Sequence, residues 1–286
     1  MSRPSVSELL QSGPGTPADL ASIDLSSIDP AATPGLRGGR KRARRELADL
    51  ADSLVDLQTR LHAASTKGAS GSVLLVVQGT DCSGKDGIGR HVVGLLEPMW
   101  VRYTAFGKPT AEELQHDFLW RIRRALPTPG QIGVFNRSHY EDVLVARVHD
   151  LVPRQTWQRR YATINRFEQG LHDQGVRLVK VMLNISAAEQ RSRLLARLDD
   201  PTKRWKYNPN DVDERAFADA YAAAYQAVLD RCSTPAAPWY VVPADHKWYR
   251  DWAVGHLLLD ALTHIDSPYP PAAFDLDAER ARLGAG

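Results

Sequence analysis

The sequence predicts a doubly wound α/β sandwich with a mostly parallel sheet, and three observations carry that expectation. Val73-Leu74-Leu75-Val76-Val77 is a short, continuous apolar run rich in β-branched residues, the pattern of a strand buried on both faces. Further strand candidates follow at Val101–Phe106, Ile132–Phe135, Leu178–Ile185 and Trp239–Val242. Helical patterns lie between them. Strands that alternate with helices wind into this architecture, with the chemistry at the carboxyl edge of the strands.

The helical elements follow in order. Leu47, Leu50, Leu54, Leu57 and Leu61 recur at spacings of three and four, one apolar face of a helix over roughly 41–65. That face packs by default on its own core, with a partner subunit as the alternative. Thr110-Ala-Glu-Glu113 is a capping box opening a helix to about Ala125, with Pro127 just beyond it. Pro153 suits a first helical position, and Gly175 ends that helix. Ser186-Ala-Ala-Glu189 is a second capping box. Asp211 opens an Ala-rich helix to about Asp230, and a last helix runs from about Lys247 to His264. Residues 1–36, rich in Ser, Pro, Gly and Ala, read as disordered or loosely packed. Residues 37–270 read as the folded domain, with a lid at about 190–210, and 271–286 as a C-terminal tail.

The chain has 286 residues, 43% apolar and 24% charged, ordinary for a soluble globular protein. Its net charge of +2 excludes a polycation of nucleic-acid-binding type, so an anion site must come from local clustering. Cys82 and Cys232 cannot build a disulfide framework at this size. The N-terminus lacks an apolar signal core, and no run approaches about 18 apolar residues. A cytoplasmic enzyme that works away from membranes is the expectation.

Gly79-Thr80-Asp81-Cys82-Ser83-Gly84-Lys85 matches G-x-x-x-x-G-K directly after the strongest strand and before a helix-compatible stretch. Glycines let backbone N–H groups turn inward around phosphate oxygens, the helix start adds positive potential, and the lysine adds a mobile charge. Position 86 is Asp, where a hydroxyl residue ordinarily holds Mg²⁺, and position 81 is also Asp. A carboxylate in a phosphate cradle repels its ligand unless a metal lies between them. Asp81 therefore reads as metal-facing or acid/base, and Asp86 as either metal-facing or a helix cap. Cys82 reads as a small loop residue.

The third strand candidate ends in Asn136-Arg137-Ser138-His139-Tyr140-Glu141-Asp142. Arg137 is placed to meet a phosphate bidentately. Glu141 and Asp142 lie a turn further on, where they can hold metal directly or through water. His139 reads as structural. Arg191, Arg193, Arg197, Lys203, Arg204 and Lys206 then crowd one segment after the fourth strand, where kinases with such a loop carry a lid. A dense cationic lid suits a substrate with many charges. The other basic run, 40–45, reads as a solvated helix start or an arm that touches a polyanion. Cations there oppose the helix macrodipole.

Taken together, Gly79–Gly87, Phe106–Thr110, His116–Arg121, Phe135–Asp142, Lys203–Lys206, Ala237–Tyr240 and Trp248–Arg250 closely resemble family-2 polyphosphate kinases, from about residue 45 to 270. The resemblance implies a three-layer P-loop kinase fold of thymidylate-kinase type, with a helical lid and an N-terminal helical extension. It implies phosphoryl transfer between inorganic polyphosphate and AMP, ADP or ATP, dependent on Mg²⁺ or Mn²⁺, in a homo-oligomer. It implies that Asp81, Lys85 and Arg137 are catalytic. Gly79, Ser83, Gly84, Arg193, Arg197, Lys203 and Arg204 would hold phosphates with them, and Asp81, Glu141 and Asp142 would hold the metal. Asn136, which is Asp in some members, looks like the subgroup accepting nucleoside mono- and diphosphates. Two rivals remain: an ATP-dependent nucleoside monophosphate kinase, and a non-catalytic nucleotide-binding protein.

Overall fold

The computed structural model describes residues 4–12 and 23–284. Its strands are β1 (Gln11–Ser12), β2 (Ser72–Gly79), β3 (Val101–Ala105), β4 (Ile132–Asn136), β5 (Val176–Asn184) and β6 (Trp239–Pro243). They form one sheet in the order β1-β6-β5-β2-β4-β3, parallel except for the β1–β6 pair. The helices in the first half are α1 (Val6–Leu10), α2 (Arg40–Asp49), α3 (Ala51–Ser65), α4 (Lys85–His91), α5 (Trp120–Ala125) and α6 (Val145–Val148). Those that follow are α7 (Arg154–Asp173), α8 (Ala187–Asp199), α9 (Asn210–Asp213), α10 (Ala218–Cys232), α11 (Lys247–Ile265) and α12 (Leu276–Gly284).

The central strand explains the layering. Every residue of β2 is buried. Successive side chains leave a strand on opposite faces. Val73, Leu75 and Val77 accordingly enter one core with Leu54 and Leu61 of α3, Ile88 of α4 and the buried face of α11. Leu74 and Val76 enter a second core with Ile122 of α5, Ile164 of α7 and Val228 of α10. The leucine face 47–61 thus packs within the chain; Leu47 also abuts Gly255 of α11.

Several elements differ from the sequence reading. The helix expected over 41–65 is divided at Leu50, whose N–H is shared between Glu46 O and Leu47 O. The Thr110–Glu113 box forms, with Thr110 N–H on Glu113 and Glu113 N–H on Thr110 Oγ1, yet it opens only the 3-10 turn Glu113–Gln115. Asp117 Oδ1 then accepts the Leu119 N–H at 3.0 Å, and the helix restarts only at Trp120. A short polar side chain that satisfies the backbone locally competes with helix continuation. The Ala-rich helix begins at Ala218, after α9 and the 3-10 turn Glu214–Phe217.

The described part of the N-terminal segment is anchored. Residues Gln11 and Ser12 extend the sheet antiparallel to Tyr240 and Trp239. Further along, Ile28 O accepts from Asn184 Nδ2, Pro30 O from the Asp245 N–H and Pro34 O from the Tyr249 hydroxyl. Backbone carbonyls make these bonds, so composition gives no sign of them. Residues 1–3 and 13–22 of that segment lie outside the described residues. In the tail, α12 buries no side chain.

Candidate active site

The parallel register brings the carboxyl ends of β2 and β4 side by side, Val77 opposite Asn136. The loop after β2 turns at Gly79 and Gly84, with φ of 152° and 107°. Only glycine reaches such angles cheaply, and a Cβ on Gly84 would collide with the Arg250 guanidinium. Cys82 adopts φ 64° without that freedom, a strained residue of the kind that clusters at functional loops. Lys85 opens α4 and arches back over the loop, its Nζ donating to Gly79 O at 2.6 Å and Thr80 O at 3.1 Å. Burial pushes the Lys85 pKa down, against the pull of Asp81. Ser83 is fully buried, and its Oγ finds no partner among the described residues.

After β4, Arg137 also takes a left-handed turn, φ 64°. Its N–H donates to Val77 O at 3.0 Å, which fixes it beside the loop, and its guanidinium lies 3.3 Å from Asp81 Oδ1. Asn136 Nδ2 donates to Asp86 Oδ1 and to the Tyr103 hydroxyl, each at 3.0 Å. Asp86 also faces Lys206 of the lid at 3.8 Å, so its carboxylate is shared between strand end and lid. Burial raises the Glu141 pKa, opposed by Arg137 and Lys85.

Asp142 departs from the expected metal role. It pairs with Arg160 at 3.1 Å, and its own carbonyl also accepts from Arg160. Of the three residues expected at the metal, only Asp81 lines the cleft, and neither Glu141 nor Asp142 does. His139 is fully buried on Glu168, in keeping with a structural role.

The cationic segment divides into three behaviours. Arg197 and Lys203 border the cleft, Arg197 bonded to Lys206 O and Asp211 at 3.1 Å each, Lys203 to Asp200 at 2.5 Å. Arg204 points away, its Nε on Leu198 O. Arg193 also reaches the cleft wall but is buried, and its donors go to Glu189 and to the carbonyls of Cys82, Ser83, Ala244 and Asp245. The expectation that Arg193 holds phosphate meets a guanidinium already committed to the protein.

Two cations were missed: Lys247 and Arg250, from the first turn of α11, also border the cleft. The Trp248–Arg250 match signalled Arg250 without a role. The cleft encloses about 520 Å³ over the loop, and its lining carries eight Lys or Arg against three Asp. No group of three or more His, Cys, Asp or Glu converges among the described residues. No helix of the described residues is long and apolar enough to cross a membrane.

This geometry has close counterparts. Residues 38–269 match the family profile described as Polyphosphate kinase 2 (PPK2). The chain is 45% identical over 248 residues to an AMP/ADP-polyphosphate phosphotransferase of Meiothermus ruber, 87% of this chain and 91% of that one. It is 42% identical over 231 residues to an ADP-polyphosphate phosphotransferase of Rhodopseudomonas palustris, covering 77% and 78%. The crystal structure of Polyphosphate Kinase 2 from Arthrobacter aurescens superposes with a TM-score of 0.94 at 47% identity, over 99% of this chain and 98% of that one. With a profile match over most of its length, this chain belongs to the polyphosphate kinase 2 family.

Proposed function

We propose that this chain transfers phosphoryl groups between inorganic polyphosphate and adenine nucleotides, making ADP from AMP and ATP from ADP, reversibly. The observation that carries the reading is the cleft: a phosphate loop bordered by Lys85, Arg137, Arg197, Lys203, Lys206 and Lys247, more cations than the phosphates of one nucleotide require. The names of the relatives from Meiothermus ruber and Rhodopseudomonas palustris support the same substrates.

In this reading polyphosphate lies along Arg197, Lys203 and Lys206, with its end over the loop. A terminal phosphate oxygen of AMP or ADP attacks the terminal phosphorus of the polymer. The bond from that phosphorus to the bridging oxygen breaks, and the shortened chain leaves with the electron pair as an anion. The acceptor is already a nucleophilic oxyanion, so positioning and charge neutralisation do the work. Lys85 and Arg137 flank the transferring group. Loop N–H groups and the buried Ser83 hydroxyl complete the cradle.

Asp81 and Glu141 suit Mg²⁺ or Mn²⁺. Mg²⁺ would keep several waters and take one or two carboxylates plus phosphate oxygens, which Asp81 on the cleft wall could supply, with Glu141 near Lys85 and Arg137. Bound there, the ion neutralises phosphate charge.

The test is to mix protein, Mg²⁺ and long-chain polyphosphate with AMP or ADP, without ATP, and follow nucleotides by chromatography. ATP formed from ADP, and ADP formed from AMP, are expected. Inertness toward polyphosphate together with ATP-dependent phosphorylation of a nucleoside monophosphate would select an ordinary nucleotide kinase.

A further inference from the structure

Asn184 and Pro243 are partners at the carboxyl ends of β5 and β6. Ser186 and Asp245 therefore emerge side by side, one at the root of the lid helix α8, the other just before α11. Ser186 Oγ accepts the Glu189 N–H at 3.1 Å, the forward half of a capping box. The return half, ordinarily made by the glutamate on the cap N–H, comes from elsewhere. Asp245 Oδ1 accepts the Ser186 N–H at 2.8 Å, while Glu189 Oε1 accepts from Arg193 Nε at 2.8 Å.

Arg193 completes the connection. Its Nη1 donates to Cys82 O at 2.9 Å and Ser83 O at 3.1 Å, and its Nη2 to Ala244 O at 2.6 Å and Asp245 O at 2.8 Å. A guanidinium has five N–H donors in a fixed fork. With Glu189 counted, each has an acceptor within the protein, and the residue is 8% exposed. No donor remains for a phosphate. The Cys82 and Ser83 carbonyls belong to the loop that must present its N–H groups to substrate, at and beside the left-handed Cys82. In a planar trans peptide the Gly84 N–H points opposite to the Ser83 carbonyl, so fixing that carbonyl fixes the N–H.

We propose that Arg193 and Asp245 are positioning residues that lock the phosphate loop to the root of the lid helix, and that neither touches polyphosphate. Asp245 caps α8 from outside the helix, which frees Glu189 to hold the Arg193 fork. Arg193 then sets the loop. The N-terminal segment closes the chain of bonds, since the Asp245 N–H donates to Pro30 O at 3.1 Å. The inference rests on the phosphoryl-transfer reading above for its kinetic consequences and on the hydrogen bonds alone for its structural ones.

Kinetics of Arg193→Lys, Asp245→Ala and Asp245→Asn test it, with kcat and the KM for polyphosphate measured across a salt series. A misplaced loop costs rate at a retained site, so Arg193→Lys and Asp245→Ala are expected to lower kcat about tenfold or more. The KM and its salt dependence are expected to stay within about twofold, because no phosphate-neutralising charge is lost. Asp245→Asn keeps an oxygen acceptor for Ser186 and is expected to restore kcat to within about threefold of wild type. Wild-type kcat in Arg193→Lys and Asp245→Ala, or failure of Asp245→Asn to rescue, overturns the relay. A KM for polyphosphate raised about tenfold or more in Arg193→Lys, with kcat retained, makes Arg193 a phosphate ligand and overturns it too. Amide hydrogen exchange over residues 79–87, read without substrate, separates the two proposals. Faster exchange in Arg193→Lys supports the relay even where wild type proves inert toward polyphosphate; unchanged exchange sinks it.

Discussion

Lys85 spends its charge on the carbonyls of Gly79 and Thr80, inside the loop that it serves. Those bonds hold the ammonium over the cradle, and phosphate oxygens are stronger acceptors than amide carbonyls for a charged donor. Lys85→Ala is expected to lower kcat by about 10²- to 10³-fold, as loss of a preorganised charge contact does. Circular dichroism is expected to report an intact fold. Near-normal turnover of that variant removes Lys85 from the mechanism. Glu141 makes the opposite trade. Burial raises its pKa despite Arg137 and Lys85. A carboxyl whose folded pKa lies above its unfolded one adds stability only while protonated, and that stability is lost as pH rises through the folded value. At pH 7 to 8 the ionised group is therefore a net cost. Glu141→Gln is expected to raise the melting temperature there, and the advantage over wild type vanishes below the ordinary carboxylate range. A gain of about 1 kcal/mol would read as about 2–4 °C. The same variant is expected to need at least about tenfold more Mg²⁺ for half-maximal rate. A lower melting temperature at neutral pH, with unchanged Mg²⁺ dependence, contradicts both assignments.

At the scale of elements, β5 shows what a sequence pattern conveys and where it stops. The apolar run from Leu178 marked a buried strand, and the strand is there; nothing in the run told how Lys180, fully buried at its centre, is accommodated. Its partner comes from α7: Lys180 Nζ lies 2.6 Å from Glu168 Oε2, with Tyr140 Oη and Cys232 O completing its bonds at 2.9 and 2.7 Å. Glu168 in turn receives His139 and Tyr140 from the turn that carries Glu141. Burial alone would raise the Glu168 pKa, but Lys180 and His139 outweigh it and hold it below its ordinary value. Glu168 thus contributes stability at neutral pH that is lost as pH falls through its depressed folded value, whereas burial lowers the Lys180 pKa and sets a cost of charging against that gain. Lys180→Met is expected to destabilise by about 3–5 kcal/mol, because it strands a buried carboxylate. The double variant with Glu168→Leu is expected to lose less than the sum of the two single changes. Additive losses in urea melts would show that the two groups do not act as a pair. The same limit explains the rest of the reading. Periodicity and caps are local, so strands, the phosphate loop and α7 were legible. The restart of α5 at Asp117 and the commitment of Arg193 depend on partners distant in space or on competition between equally good caps.

On the scale of the whole molecule, charge is distributed against the average. The chain carries only +2, yet the cleft lining holds eight cationic residues and three aspartates. That separation gathers positive charge where a polyanion would lie and leaves the rest of the chain net negative. Polyphosphate that displaces counterions from itself on entering such a cleft gains entropy, and added salt removes the gain. The KM for long-chain polyphosphate is therefore expected to rise linearly with salt on logarithmic axes, between about 50 and about 200 mM, with a slope of about 0.7–0.9 per phosphate neutralised. The KM for AMP is expected to move far less, since a nucleotide meets fewer of these charges. Lys203→Ala and Lys206→Ala are each expected to flatten the polyphosphate slope by about one unit or less while leaving the AMP value in place. Arg204→Ala, whose side chain bonds Leu198 O away from the cleft, is expected to leave both slopes unchanged. Equal salt slopes for the two substrates would mean that the cleft charge neutralises the nucleotide rather than a polymer. The lid lysines would then belong to an ordinary nucleotide site, and the excess of cations would need another explanation than chain length.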